Sequence, residues 1–425
     1  IYILIGRRSE RVKKIFLCLL CGVLLFCITG CGNESENKNS DSSQKENTES
    51  IAVTDVYATS NNYLVVKADS EVYIINNEGK KQGTLDITVD DKTTITINDD
   101  GYVYYGVSNG DRNIYDKTGK TVLKSNDDES YLYISENNYT LKRSSVSDFE
   151  SGSSTKLEMV DFDNNVIKEF DSDNTPYYIG GNIWQGLDSN GTFLYNDETN
   201  TQINSEEYAN NYDMYIDPNN STAITISNGG VFFDEHHFIT SDLKYTYDEN
   251  IIYVSSDYYY NNEDYSIYNY DGTKVKEFTS GDGFSHIFSI DNTYYVESGT
   301  GYFYTLDKDL NQNEEPYQLE DSITGRTVAV GNNCILSDDK VNFNEDGYEG
   351  TWDHFYLYDY KGKLLEDIGE GFDSYSEVNN YIIRLNSMGH TEYSETSGNR
   401  ETTDIGPQES DKFVNLLTGE ILKVY

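Results

Sequence analysis

The chain has 425 residues, with 31 Lys and Arg against 74 Asp and Glu, for a formal charge of −43. That field repels phosphate backbones, whose neutralisation needs clustered Lys and Arg, which argues against a nucleic-acid partner. With 39 Tyr, 17 Phe and only four Pro, and no sustained 3.6-residue apolar period after residue 50, the composition argues against a helical protein and points to many short strands.

Residues 12–31 read as an export signal. Arg7, Arg8, Arg11, Lys13 and Lys14 precede an apolar run over 15–28, which at 14 residues is short of the roughly 20 that a spanning helix needs. The run ends in Ile28-Thr29-Gly30-Cys31. This resembles the lipobox of bacterial lipoproteins, in which an aliphatic residue and two small ones precede a cysteine. The resemblance implies that the Cys31 thiol carries diacylglycerol, that cleavage before it removes the signal peptide 1–30, and that the mature chain is held by lipid on the extracytoplasmic face of the bacterial cell membrane. The alternative is an ordinary signal peptide with an incidental cysteine.

Residues 31–50 contain almost no apolar side chain, so they cannot offset chain entropy by burial and are expected to form a disordered tether. A flexible chain of that length reaches about 25 Å. Cys18, Cys21 and Cys27 lie within the signal, which leaves Cys334 without a disulfide partner. Its neighbours Ile335 and Leu336 mark it as a small buried hydrophobe rather than a reactive thiol.

From residue 51 onward, runs rich in Tyr, Phe, Val and Ile alternate with Asn, Asp and Gly. NIYDKTGKTVL around Asp116, LYDYKGKLLEDI around Asp359 and YIINNEGKK around Asn76 share a strand, an Asp or Asn, then Gly and Lys. VDFDNNVIKEF around Asp163 and YNYDGTKVKEF around Asp271 align without a gap, FVNLLTGEILKVY around Asn415 closes the chain, and weaker copies sit at Asp197, Asp234 and Asp307. Neighbouring markers are 34 to 56 residues apart. A strand-only repeat of that period predicts propeller blades of about 40–50 residues and four strands each. The expected fold is therefore all-β, a seven- or eight-bladed β-propeller over 51–425. The Asp or Asn of each copy should cap its own turn. Circular closure is expected from residues 51–57 as the outer strand of a last blade otherwise built from 380–385 and 412–425, with 386–410 as a loop within it. The consecutive large residues His354-Phe355-Tyr356-Leu357-Tyr358 predict burial on both faces, as between neighbouring blades.

The turn Asn415-Leu416-Leu417-Thr418-Gly419 resembles the Asp-x-x-Thr-Gly turn of pyrroloquinoline-quinone-type propeller repeats, and Asp116-Lys117-Thr118-Gly119 is a shorter version. The resemblance implies architecture alone. The docking tryptophan of that family falls at Leu123 and Lys423 here, so no quinone cofactor is implied.

Chemical motifs are weaker than turn capping. An EF-hand calcium loop needs Gly at position six and Glu at position twelve. Asp307-x-Asp309-x-Asn311 has Gln312 and Gln318 there, and Asp161-x-Asp163-x-Asn165 has Val166 at position six. Asp234-Glu235-His236-His237 is the densest acid and imidazole cluster, but adjacent histidines on a strand point to opposite sides. His286, His354 and His390 stand alone, and no nucleophile elbow, zinc-protease helix or phosphate loop occurs. No catalytic residue, metal ligand or cofactor is assigned. The tyrosines invite stacking on sugar rings, but such residues more often fill the space between blades with their hydroxyls reaching solvent. The inserts 144–154, 206–221, 338–353 and 386–410 are where a binding face is expected. The reading that follows is a binding or scaffold module for protein or cell-wall glycan. The alternatives are a polysaccharide hydrolase or lyase with carboxylates in the propeller channel, and a structural partner of a membrane complex.

Overall fold

In this computed structural model the described residues are 50–108, 110–148, 152–170, 175–189, 191–204, 224–232, 236–279, 283–318, 325–345, 348–379, 381–387, 390–396, 399–405 and 410–425. They are strands and turns apart from a single 3-10 turn at Ser227–Gly229, as expected where β-branched and aromatic runs are punctuated by Asn, Asp and Gly. Residues 51–85 form an up-and-down meander of Ile51–Thr59, Tyr63–Ala68, Glu71–Asn76 and Lys81–Leu85. The same four-stranded antiparallel unit recurs over 93–124, 129–170, 177–204, 224–247 and 251–277. A seventh unit, 284–306, has three strands. Two last meanders share one seven-stranded sheet, because Leu364–Asn379 pairs with Tyr348–Asp359 through its first half and with Ile382–Ser387 through its second. Gly369 and Gly371, at φ +105° and +100°, lie where the partner changes, in a conformation that L side chains rarely adopt.

The turn between third and fourth strands is the one the repeat consensus encodes. Asp116 Oδ1 accepts from the N–H groups of Thr118 at 2.9 Å and Lys120 at 3.1 Å. Asn76, Asp161, Asp307 and Asp359 take the N–H groups two and four residues on in the same way. Gly119 sits at φ +85°, and a Cβ there would lie 2.1 Å from the Thr84 carbonyl oxygen, so the neighbouring unit as well as the turn demands glycine. The marker Asp234 lies outside the described residues, and the corresponding turn of its unit runs from Thr240 to Lys244.

Since successive strands alternate in direction, the first-to-second and third-to-fourth turns share one edge of every unit, and the second-to-third turns lie on the other. The shared edges are bonded into a ring. Asp99 accepts from Asn61 N at 2.7 Å and Asn61 Nδ2 at 2.8 Å, and its own N–H donates to Glu136 Oε2 at 2.9 Å. Asn137 Nδ2 donates to Asp197 at 2.8 Å, Asn182 N to the Gly229 carbonyl at 3.1 Å and Ser227 N to the Ser256 carbonyl at 2.7 Å. Tyr294 is hydrogen-bonded to Ser255, Tyr295 donates to Asn332 Oδ1 at 2.9 Å, and Asn332 N donates to the Leu416 carbonyl at 2.7 Å. The circle returns to its start through Tyr381, whose hydroxyl donates to the Ser60 carbonyl, and through Asn415 Nδ2, which donates to the Asn77 carbonyl at 2.6 Å. A closed order of small antiparallel sheets is a β-propeller.

The described residues form nine such units, the two meanders of the shared sheet included, where seven or eight blades were expected, and closure differs from the expectation as well. Only Ile51 and Ala52 pair with Lys423 and Val424, while Val53 to Thr59 pair with Tyr63–Ala68 as the first strand of the first unit. The tight turn closed by Ser60 N donating to the Tyr63 carbonyl at 2.8 Å forms this hairpin locally, ahead of any pairing with the distant C-terminus.

Aromatic rings fill the spaces between sheets. Tyr360 donates its hydroxyl to the Val296 carbonyl at 2.6 Å, while its ring meets Tyr295, Phe303 and Tyr317 at 79°, 90° and 85°. Phe355 and Leu357 are buried on one face, while on the other His354 and Tyr356 are half-buried and stacked on each other and Tyr358 is buried, so both faces of this strand are covered. Cys334 is fully buried, and burial pushes its thiol up to about 12.

Two outcomes follow from the ring. Asp99→Ala strips the acceptor from Asn61 and should lower unfolding free energy by about 1–3 kcal/mol in urea denaturation. Burial, reinforced by the Asp99 carboxylate, pushes the Glu136 carboxyl from 4.5 up to about 8. Within that window the folded chain holds a proton that the unfolded chain has released, so this group withdraws stability as pH rises. Glu136→Gln keeps an acceptor for Asp99 N and loses the charge. Its melting temperature should exceed that of the wild type near pH 8, and the gap should close near pH 4. An offset independent of pH would contradict the assignment.

Candidate binding face

The face opposite the ring carries the second-to-third connections, and there the long inserts depart from the repeat. Thr140–Asp148 and Gly152–Val160 form a nine-row ladder, yet the neighbouring strand Glu129–Leu132 accompanies it only as far as Ser144. Cys334–Glu345 and Tyr348–Asp359 form a twelve-row ladder, which Arg326–Gly331 accompanies only as far as Asp338. Beyond those points both hairpins project past their sheets. Insert 386–410, expected as a loop, contains a separate seven-row hairpin, His390–Thr396 with Asn399–Ile405; its alternating Thr, Glu and Tyr residues favour a ladder over an irregular loop. Three of the four inserts thus share one face. Insert 206–221 lies outside the described residues.

At the base of these hairpins runs a belt of paired carboxylates. His286 Nδ1 and Glu297 Oε2 are 2.7 Å apart, and Thr327 donates to the other Glu297 oxygen at 3.1 Å. The buried Asp338 receives Arg326 Nε at 2.9 and 3.0 Å, and the guanidinium also lies 5.8 Å from the Tyr375 ring centroid. Asp353, likewise buried, pairs with Lys340. Asp411 accepts from Ser387 N at 2.8 Å and Arg384 Nε at 2.7 Å; burial raises its carboxyl, but these bonds outweigh burial and hold it below the usual range. Each of these carboxylates is engaged by a cation or hydroxyl from a neighbouring strand. They orient the hairpin bases, whereas glycoside hydrolysis needs two carboxyl groups facing a substrate.

A groove of about 460 Å³ opens between the sixth and seventh units. Lys276 and Phe278 line one wall; Ser298, Thr300, Tyr302, Tyr304 and Leu306 line the other, and Gln312 and Pro316 border it. The groove lies beside the three-stranded unit. After Phe303–Leu306 the described residues as far as 318 make only the isolated bridges Leu306 to Gln312 and Phe303 to Tyr317, with no fourth strand among them. The sequence signal was Pro316 together with the Glu314-Glu315 pair, because proline cannot supply a ladder N–H.

The remaining sequence candidates separate. Ile28, Thr29, Gly30 and Cys31 lie outside the described residues, as do Asp234 and Glu235. His236 Nδ1 is 3.3 Å from the Ile251 carbonyl, and His237 stacks against Tyr247 at 4.4 Å, so the two imidazoles serve different neighbours. His354 pairs with Asp367 at 2.6 Å. At the acidic turns, Asp161 and Asp307 each accept two backbone N–H groups with Oδ1, as capping requires, and Asp161 Oδ2 accepts from Asn165 Nδ2 at 2.8 Å. Among the described residues no group of three or more His, Cys, Asp and Glu is arranged to hold a metal.

No protein-family model matches the chain, and no curated protein does. Among solved structures it is similar to BamB from Moraxella catarrhalis, at 9% identity over 80% of this chain and 90% of that one, with a TM-score of 0.25. It is also similar to Sqt1 from Saccharomyces cerevisiae, at 11% identity over 84% and 95%, TM-score 0.29. A third is the WD40 domain of SCAP from fission yeast, at 8% identity over 85% and 96%, TM-score 0.29. At such scores the propeller assignment rests on the strand order and ring closure of this chain itself.

Proposed function

We propose that the chain is a lipid-anchored, extracytoplasmic β-propeller that serves as a binding or scaffold module for protein or cell-wall glycan. The observation that carries this reading is the asymmetry of the two faces. Turns on one face are bonded to one another, while three extended hairpins rise from the other. Extended ladders on a rigid scaffold offer side chains to a partner without disturbing the core. The lipobox at Ile28 to Cys31 supports anchoring, and the polar tether over 31–50 would let the propeller reach away from the bilayer. The carboxylates of Glu297, Asp338 and Asp353 at the hairpin bases are already paired, which speaks against a glycoside-hydrolysing pair among them.

Two variants test the two halves of the proposal. Cys31→Ser should lose palmitate labelling and move from the membrane fraction to the medium; a variant that keeps its label overturns the anchor. Replacement of residues 342–351 by an Asn-Gly turn should leave the melting temperature nearly unchanged and abolish cross-linking to envelope protein or co-sedimentation with cell walls. Undiminished retention by walls and cross-linkers would overturn the assignment of the hairpin face.

A further inference from the structure

The groove beside the seventh unit has a lining that restricts what it can hold. Strand addition is excluded, because the outer edge of Phe303–Leu306 is already used: Phe303 N donates to the Tyr317 carbonyl at 2.8 Å, Tyr317 N returns a bond at 3.1 Å, and Asn313 N donates to the Thr305 carbonyl at 2.9 Å. An anion is disfavoured as well. The lining has one cation, Lys276, whose ammonium is held by the Leu310 carbonyl, and the chain around it carries −43. What remains is a neutral surface of rings and hydrogen-bonding groups. Tyr302 and the half-buried Phe278 supply aromatic area, while Tyr304 is buried; the Ser298 hydroxyl is bonded to Thr300 Oγ1 at 3.1 Å and Tyr302 N at 3.0 Å, and Gln312, whose Nε2 donates to the Glu314 carbonyl at 2.6 Å, offers its Oε1 as an acceptor. Tyr302 is 40% exposed, which is unusual in a protein whose tyrosines mostly fill inter-sheet space. A pyranose matches this combination, with C–H groups on its faces and hydroxyls around its rim, and the volume lies in the ordinary range of small-ligand sites.

We propose that this groove binds an uncharged oligosaccharide, with Tyr302 and Phe278 as stacking surfaces and Gln312 as a hydrogen-bonding partner for sugar hydroxyls. The proposal rests on the glycan arm of the binding function above and gives it a location. Cellotetraose, maltotetraose and chitotetraose, titrated separately by calorimetry into the full chain in detergent, are the probes. At least one should bind with a Kd of about 1 mM or tighter. Tyr302→Ala should weaken that binding about tenfold, Tyr302→Phe should retain it, and Tyr247→Ala, at an exposed tyrosine remote in sequence from the groove, should leave it unchanged. Absence of heat with all three sugars, or equal binding by Tyr302→Ala, overturns the proposal. Co-sedimentation with insoluble cell walls separates this failure from failure of the wider reading. If the wild type and Tyr302→Ala sediment equally, the groove is wrong and wall binding stands; if the wild type neither sediments nor binds sugar, both fall.

Discussion

Every other feature of this protein depends on the ring of turn-to-turn hydrogen bonds. A four-stranded sheet of short strands buries too little to stand alone, so each unit must be held against two others. The shortest turns accomplish this, and their residue types explain how. An Asn or Asp has a side chain short enough to cap its own turn and polar enough to reach the next one. Asp99 receives two bonds from Asn61 with its carboxylate, and its backbone N–H passes one on to Glu136. The last link joins Tyr381 and Asn415 to Ser60 and Asn77, more than 300 residues away in sequence, and holds the circle shut.

That economy places acids close together. Asp99, Asp100, Glu136 and Asp197 share the ring, and burial, with the Asp99 carboxylate second, pushes the Glu136 carboxyl up to about 8. The belt on the opposite face is organised differently. There Arg326, Lys340 and Arg384 are spent on Asp338, Asp353 and Asp411, where the hairpins need a fixed base. A buried carboxylate left without its cation would cost several kcal/mol, which makes those pairs a condition for the hairpins to stand in one orientation.

Much of the architecture was legible because it is local. Strand runs, the period of the repeat and the Asp or Asn cap of the third-to-fourth turn are short-range features, and the structure places Asp116, Asp161, Asp307 and Asp359 in that role. A second repeated signal was present and went unread. Asn61-Asn62-Tyr63, Asn137-Asn138-Tyr139 and Asn379-Asn380-Tyr381 mark first-to-second turns, but their partners lie in other units, which a single sequence does not reveal. For the same reason the strand Leu364–Asn379 could not be recognised as shared between two meanders. The hairpin in 386–410 was missed because its Thr, Glu and Ser residues are polar, and polar ladders lack the apolar alternation by which strands are read.

In a fold built from near-identical units, a departure from the unit carries more information than the unit does. Six of the meanders repeat the same four strands, and three of them, at Asn76, Asp116 and Asp161, cap the third-to-fourth turn with the same pair of bonds. The seventh breaks the pattern. Its chain reaches Asp307, caps the usual turn, and then runs through Gln312 and Pro316 instead of forming a full fourth strand, leaving a groove where side chains of that strand would otherwise pack. A fourth strand would gain ladder bonds and apolar burial at this position, so its absence is a local loss of stability that the ring tolerates, because Tyr295 still anchors this unit to Asn332 and Tyr360 still locks its carbonyls. The ring thus allows one unit to be incomplete without opening the circle, and the incomplete unit is where a ligand can enter between two sheets.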